Sequence, residues 1–319
     1  YPGLVRCNLD WVLESRKQFL GWCPKINFRE IASKFDRDGY VHLPQVISGE
    51  ELAFLQEDSA YMINEGPVGK EPASDYFSDV LPDSGESVFH RVQYIFPKAK
   101  NNSFVKLLGH PFILSVVQQL LGNDFICGAE ALVFKTPGNG KEVPVHCDCD
   151  PNDPKFGPLV FNVDFYLDDA TIENGCLLVA PGSHKTIYSH AELEEKGFSF
   201  PGLVEVPVKA GDVLIHNTRL VHGSKRNQSE ALRRTLYYEF RSLNVVSKHG
   251  IGTGLPVNET WINERLRLLM HAIDLREASP YSEDEIPFQL VLPTGFEVTW
   301  PQPHEEINYR PALGYNKYF

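Results

Sequence analysis

The first third of the chain carries apolar residues at helical spacing, interrupted by turn residues. Phe28, Ile31 and Phe35 recur every three to four positions and predict a helix that Asp38-Gly39 ends. Ser48 begins a second predicted helix, because the glutamate three residues later completes a capping box. The same reasoning predicts strands at residues 40–43 and 88–96, a loop at 67–87 and an amphipathic helix at 104–121.

From residue 125 onward, the helical period gives way to short apolar segments separated by turns. Turn residues such as Pro181-Gly182 and Gly211-Asp212 mark the boundaries. These segments predict strands at residues 125–135, 143–149, 159–167, 176–180, 203–208, 212–216, 219–222 and 232–243. Many short strands in series are typical of a sandwich or a jelly-roll barrel. An amphipathic helix at 259–276 and an extension rich in proline and aromatic residues follow.

The chain of 319 residues is long enough for two domains, but a single β-sandwich or barrel with added helices also fits. We predict one domain over residues 1–319. Residues 1–124 would form a helical support with edge strands, 125–243 a jelly-roll core, and 244–319 a C-terminal helix and wrapping extension. The predicted fold class is therefore mainly β with flanking helices.

Composition narrows the classes of protein to consider. Hydrophobic residues make up 42% and charged residues 23%, as in ordinary globular proteins, and no apolar run approaches the roughly 18 residues of a membrane-spanning helix. The net charge of −12 argues against a nucleic-acid partner, which requires a basic face. Six cysteines without a CxxC pair are too sparse for a disulfide scaffold, so we expect reduced thiols and a cytoplasmic location.

The candidate chemistry centres on His146 and Asp148. Alternate residues of a strand point to the same face, so these two side chains would present an imidazole and a carboxylate together. A third ligand must come from elsewhere, and both His216 and His222 follow a later strand signal at Gly211-Asp212. Two imidazoles and one carboxylate with open positions are the ligand set of non-haem Fe(II) oxygenases.

Other interpretations of this segment remain open from the residues alone. A single His-x-Asp occurs often by chance on surface strands, and Asp148, Asp150 and Asp153 also fit a solvated acidic loop. Cys147 and Cys149 could form a weak soft-metal site, although an isolated Cys-x-Cys lacks the partners of a zinc site.

Taken together, several motifs resemble the phytanoyl-CoA dioxygenase family, in that family's order over about residues 28–243. The N-terminal segment Phe35 to Pro44 resembles the family's opening. The remaining motifs are His146-Cys147-Asp148, Glu173-Asn174-Gly175 through Pro181-Gly182-Ser183-His184-Lys185, Gly211-Asp212, His222-Gly223-Ser224, Asn227 and Arg233-Arg234.

The resemblance implies a double-stranded β-helix core, jelly-roll and cupin-like, with Fe(II), 2-oxoglutarate and O2 as cofactors and co-substrates. It implies His146, Asp148 and His222 as the iron ligands, and selects His222 over His216 because the family ligand lies in His-Gly-Ser. His216 would then be a packed strand residue. Arg233 would bind the distal carboxylate of 2-oxoglutarate, as a planar guanidinium can do through two hydrogen bonds. Arg234 would point to the opposite face of the same strand, as a surface or inter-sheet charge. Further candidates for co-substrate binding are Ser224 and Lys135.

The substrate side is less strongly specified by the sequence. Asn162, Asp164 and Tyr166 share one face of a strand that lines the pocket in the resembling family. Asp164 could bind a cationic or hydroxyl-bearing substrate group, or it could face solvent or a salt-bridge partner. Tyr94 could form an aromatic wall or pack in the core. We expect the lid to come from residues 67–87, 186–202 and those after 245.

The predicted function is hydroxylation of an unactivated C–H bond of a small metabolite or natural product, with succinate and CO2 as co-products. Desaturation, cyclisation or epimerisation with the same centre remains an alternative. So does a metal-binding cupin-like module without catalysis, although such a module needs no clamp like Arg233. The negative net charge favours a small molecule over a CoA thioester and predicts no nucleic-acid partner, and the lack of a long apolar run predicts no membrane partner. The sequence leaves the oligomeric state undetermined.

Overall fold

The computed structural model describes most of the chain from Asn27 to Tyr309. The described residues are 27–67, 70, 73–81, 83–138, 140–148, 160–249, 257–293, 295–296, 298–302 and 305–309. Within these ranges no helix is both long and apolar enough to cross a membrane.

Several of the described helices begin at a residue whose side chain caps them. Asn27 caps the first helix, Ser48 the second and Asn258 the longest, each by accepting a hydrogen bond from a backbone N–H of the first turn. Gly39 ends the first helix with a left-handed φ of 81°, as the sequence predicts. The helices are α1 (Phe28–Asp38), α2 (Gly49–Glu65), α3 (Ser103–Leu108), α4 (Pro111–Leu121), α5 (His190–Lys196), α6 (Leu243–His249) and α7 (Glu259–Glu277).

Eleven described strands form two antiparallel sheets. The strands are β1 (Tyr40–Leu43), β2 (Tyr76–Val80), β3 (Ser87–Gln93), β4 (Phe125–Lys135), β5 (Val143–His146), β6 (Val160–Tyr166), β7 (Leu177–Val179), β8 (Val204–Val206), β9 (Val213–Asn217), β10 (His222–Ser224) and β11 (Arg233–Ser242). The larger sheet has the order β1-β9-β6-β11-β4-β3-β2, and the smaller has the order β5-β10-β7-β8. This arrangement confirms the predicted double-stranded β-helix with flanking helices.

The larger sheet has one apolar and one polar face. Val163, Phe165, Leu236 and Tyr238 share a buried core cluster with apolar residues of α1, α3, α4 and α7. The alternate residues of β6 and β11 face the other way, and they include Asn162, Asp164, Tyr166, Arg233, Thr235 and Tyr237. Burying one face against the helices therefore directs these polar side chains into the space between the sheets.

The two sheets are joined by a smaller apolar cluster beside the polar region. Tyr166 and Leu214 of the larger sheet pack with Leu177, Val179 and Val206 of the smaller one. The outer side of the smaller sheet is covered by α5 and the turn that follows it, since Leu193 and Phe200 share a cluster with Val145. The β5–β10 pair is thus held rigidly opposite β6 and β9.

Several secondary-structure predictions were wrong in part. Residues 67–87 are not all loop, because β2 lies within them and pairs with β3 at the sheet edge. The helix predicted at 104–121 is two helices, separated at Gly109-His110 because Pro111 has no N–H to continue the first. The strand predicted at 219–222 begins only at His222, after a turn. Cys149 at the end of the predicted strand 143–149 lies outside the described residues.

Candidate metal centre and co-substrate site

The pairing of β5 with β10 brings two distant histidines together. His146 and His222 are direct partners in the antiparallel register, and their ring centroids lie 4.3 Å apart. The Nδ1 atom of His146 lies 2.8 Å from the Pro144 carbonyl, and that of His222 lies 2.8 Å from the Leu220 carbonyl. Because a carbonyl only accepts, both Nδ1 atoms carry the proton and both Nε2 lone pairs remain available to a metal.

Asp148 completes the group from the turn after β5. Its backbone N–H donates to the Thr218 carbonyl over 2.9 Å, which fixes the turn against the residues after β9. Its Oδ1 lies 3.3 Å from Nε2 of His146 and 3.5 Å from Nε2 of His222. One ligand atom from each of the three residues falls within 4.8 Å of the others.

The donor set of this group fits a divalent transition metal. Two imidazole nitrogens and one carboxylate oxygen on one side of an ion leave further positions open, as in non-haem Fe(II) centres. Burial lowers the pKa of His222 to about 3, so its imidazole is neutral, as a ligand must be.

The second oxygen of Asp148 is held by two side chains of the larger sheet. The Asn162 amide donates to Oδ2 over 2.8 Å, and Nε2 of His216 lies 3.2 Å from the same oxygen. His216 is buried, and its Nδ1 lies 2.8 Å from Oδ2 of Asp164. Burial alone would lower the pKa of His216, but the two carboxylates outweigh it and raise the pKa to about 10.

Arg233 lies buried at the start of β11, on the polar face of the sheet. Its Nη1 donates to the Gly175 carbonyl and to Oγ of Ser224, the latter over 3.2 Å, and its Nη2 donates to Oγ1 of Thr235 over 3.2 Å. Among the described residues, Nε of Arg233 has no acceptor, and neither does the buried hydroxyl of Tyr166, whose ring lies 5.9 Å from the guanidinium. Buried donors without acceptors are rare, and a bound carboxylate would satisfy both.

Ser224 and Lys135, the other two candidates for co-substrate binding, already have partners. The Ser224 hydroxyl donates to the Gly175 carbonyl over 2.7 Å. The Lys135 ammonium, buried beside Arg233, directs its three donors to the carbonyls of Lys141, Ser224 and Lys225. Burial and the neighbouring guanidinium lower the pKa of Lys135. These contacts give both residues a role in holding the β10 segment next to Arg233, while contact with 2-oxoglutarate stays a prediction.

The three candidate substrate residues occupy different positions. Asn162 is half-buried and binds Asp148, and Asp164 is fully buried and bound to His216, which matches the salt-bridge alternative rather than solvent exposure. Tyr94 follows the end of β3 and is buried, with a left-handed φ of 52°. Whether any of the three touches substrate stays a prediction.

The alternative interpretations of the His146 segment can also be compared with the structure. The Cys147 thiol points away from the metal group and donates to the Arg219 carbonyl over 3.3 Å, and burial raises its pKa to about 12. A protonated thiol is a poor metal ligand. Cys149, Asp150 and Asp153 lie outside the described residues.

Sequence reasoning missed the link between the two sheets at Asp148. It assigned His216 to strand packing, whereas the buried ring contacts both Asp148 and Asp164. The period-two alternation of β6 and β9 directs Asn162, Asp164 and His216 to the polar face of the sheet. Only the strand register, in which Asn162 is the partner of His216, shows that the side chains of the two strands meet. The sequence interpretation of Arg234 as a charge on the opposite face is consistent with its ion pair to Asp168 at 2.7 Å.

Comparison with known proteins agrees with this geometry. The family model of phytanoyl-CoA dioxygenase (PhyH) matches residues 35–235. The ectoine dioxygenase of Sphingopyxis alaskensis is 25% identical over 241 residues, covering 67% of this chain and 75% of that protein. Phytanoyl-CoA dioxygenase 1 of Oryza sativa subsp. japonica is 27% identical over 269 residues, covering 68% of this chain and 88% of that protein.

Solved structures show the same fold. AviO1 from Streptomyces viridochromogenes Tue57 superposes with a TM-score of 0.57 at 28% identity, covering 68% of this chain and 96% of that one. EctD from S. alaskensis, solved with 2-oxoglutarate and 5-hydroxyectoine, superposes with a TM-score of 0.55 at 24% identity, covering 69% and 77%, and a further structure of it contains Fe. The chain therefore belongs to the phytanoyl-CoA dioxygenase family and is a dioxygenase that uses Fe(II), 2-oxoglutarate and O2.

Proposed function

We propose that the protein hydroxylates an unactivated C–H bond of a small metabolite, with succinate and CO2 as co-products, at a centre formed by His146, Asp148 and His222. The observation that carries this proposal is the convergence of Nε2 of both histidines on Oδ1 of Asp148. Bound Fe(II) together with 2-oxoglutarate would supply O2 activation at this position.

The residues around the centre have separate roles in orienting the ligands and in binding the co-substrate. The carbonyls of Pro144 and Leu220 fix the rings of His146 and His222 so that each presents Nε2. Arg233 binds the distal carboxylate of 2-oxoglutarate through its unused Nε–H and a neighbouring N–H. Burial of this guanidinium removes competing water, which strengthens the ion pair relative to a surface contact.

The charge distribution supports a small substrate rather than a CoA thioester. The basic pair Lys225-Arg226, near the distal end of the site, is balanced by acidic partners. Arg226 binds Asp83 over 2.7 Å, and Lys225 lies 3.4 Å from Glu205. A nucleotide phosphate would have to displace these carboxylates. The half-buried Asn162 and Tyr237 on the polar face of the larger sheet suit a polar molecule of modest size.

The proposal is tested first without the substrate. Anaerobic addition of Fe(II) and 2-oxoglutarate to the purified protein should give a visible metal-to-ligand charge-transfer band. His222→Ala should abolish the band, while His271→Ala, which changes a histidine on the distant α7, should leave it unchanged. A band that survives in His222→Ala would refute the ligand assignment.

The substrate and the type of reaction are then tested together. The protein is incubated with members of a metabolite library in the presence of labelled O2, and succinate release identifies the compounds that it converts. Hydroxylation transfers one labelled oxygen atom to the product, whereas desaturation removes two hydrogen atoms and leaves the product unlabelled. An unlabelled product formed stoichiometrically with succinate would refute hydroxylation and favour desaturation, cyclisation or epimerisation.

A further inference from the structure

We propose that Asp164 and His216 are positioning residues that hold the second oxygen of Asp148, so that this carboxylate offers only Oδ1 to the metal. The inference rests on the proposed function, because it takes His146, Asp148 and His222 as the metal ligands. It assigns a task to Asp164 and His216 that differs from the substrate-binding and packing roles suggested by the sequence.

The two oxygens of Asp148 have different surroundings. Oδ1 faces the Nε2 atoms of both ligand histidines, at 3.3 and 3.5 Å. Oδ2 faces the larger sheet, where the Asn162 amide lies 2.8 Å away and Nε2 of His216 lies 3.2 Å away. A carboxylate whose outer oxygen accepts two hydrogen bonds is held against rotation about its C–C bond, and binding through both oxygens would break these bonds.

The His216 ring lies between Asp164 and Asp148. The ring has a carboxylate on each side, since Nδ1 lies 2.8 Å from Asp164 and Nε2 lies 3.2 Å from Asp148. Each ring nitrogen is therefore within hydrogen-bond distance of one carboxylate, and the ring bridges Asp164 and Asp148. Asp164 thereby fixes the orientation of the His216 ring, and neither ring nitrogen is left for a metal.

The backbone makes this arrangement rigid. Asn162 and His216 are direct partners in the β6–β9 register, and Asp164 pairs with the residue two positions before His216. His216 and Asp164 have side chains that are 1% and 0% exposed, so water cannot readily replace either partner. The chain Asp164–His216–Asp148 therefore connects the larger sheet to the metal group on the smaller one.

Metal binding without catalysis tests the inference. The metal-free protein is titrated with Mn(II), and free Mn(II) is followed by electron paramagnetic resonance. We expect Asp164→Leu and His216→Phe to weaken Mn(II) binding by about 10- to 100-fold, the usual effect of removing a partner of a metal ligand. Asp164→Asn and His216→Gln, which keep hydrogen-bonding groups at the same positions, should recover part of the affinity.

A matched control comes from the same sheet. His42 on β1 lies 2.8 Å from Asp212 through a comparable imidazole–carboxylate contact that does not include Asp148. His42→Gln should therefore leave Mn(II) affinity unchanged. Infrared difference spectra between metal-free and Mn(II)-loaded protein add a readout of binding mode, because the splitting of the carboxylate stretches reports whether one or both oxygens bind. The splitting should change in Asp164→Leu and not in His42→Gln.

The outcomes separate this inference from the proposed function. Wild-type affinity and carboxylate splitting in folded Asp164→Leu would overturn the positioning role while leaving the metal centre intact. Failure of the wild-type protein to bind Mn(II), with no difference from His222→Ala, would instead refute the proposed metal centre itself. If His216→Phe does not fold, the comparison of Asp164→Leu with Asp164→Asn decides the result.

Discussion

Arg233→Gln is expected to weaken 2-oxoglutarate binding strongly while leaving the fold in place. Three of the five N–H groups of Arg233 have partners among the described residues. Nη1 donates to Gly175 and Ser224, and Nη2 donates to Thr235. Nε–H and one Nη2–H thus remain for a carboxylate. Each charge-assisted hydrogen bond contributes about 1.5–3 kcal/mol, so losing two costs about 3 kcal/mol or more, a factor of roughly 100 in Kd.

The assay is anaerobic titration of the Fe(II)-loaded protein with 2-oxoglutarate, followed by the charge-transfer band. The matched control is Arg234→Gln on the same strand. Arg234 points to the opposite face, where it binds Asp168 over 2.7 Å and the Gln56 carbonyl over 3.0 Å. This control should lower the free energy of unfolding by about 1–3 kcal/mol and leave the Kd for 2-oxoglutarate unchanged.

Two results would refute this reasoning. The first is an unchanged Kd for 2-oxoglutarate in folded Arg233→Gln, because the buried guanidinium would then have another role. The second is an equal loss of affinity in Arg233→Gln and Arg234→Gln, because the effect would then come from general destabilisation of β11 rather than from the lost contact.

Lys135→Met should lower the free energy of unfolding by about 2–4 kcal/mol in urea, because three backbone carbonyls lose their donor; unchanged stability would contradict this. Gly175→Ala should cost at least about 2 kcal/mol, since φ is +78° and the new Cβ would lie 2.2 Å from the Lys225 carbonyl; it should also weaken 2-oxoglutarate binding by moving the Gly175 carbonyl that holds Arg233. Burial lowers the pKa of His90 to about 4, below its unfolded value, so its contribution to stability is lost as pH falls from about 6.5 to 4. His90→Gln should reduce this loss by up to about 1 kcal/mol per pH unit, measured as the free energy of unfolding at about pH 7 and about pH 5. An unchanged dependence of the free energy of unfolding on pH would exclude His90 as the source.

Sequence periodicity predicted most of the elements because each strand and helix buries one face. β4, β6 and β11 lie close to the predicted ranges, and α2 begins at the expected capping residue Ser48. The edge strand β2 was missed because its residues Tyr76–Val80 are only partly buried, so the alternation of apolar residues is weak. The break before Pro111 could have been predicted from the missing N–H of proline.

The linear sequence determined the chemical identities at the site: two histidines, one aspartate and one arginine, in the order of the phytanoyl-CoA dioxygenase family. The strand period also predicted that His146 and Asp148 lie together, and they do, although Asp148 lies in the turn after β5. Sequence periodicity of this kind relates only residues that are close together in the chain.

Tertiary structure decided how these groups meet. The β5–β10 register sets His222 opposite His146, and packing of the two sheets places Oδ2 of Asp148 against His216. Strand pairing between positions more than 50 residues apart has no local signal, because it depends on which apolar faces are buried together. The ligands could therefore be named from the sequence, whereas the network that orients them required the packed sheets.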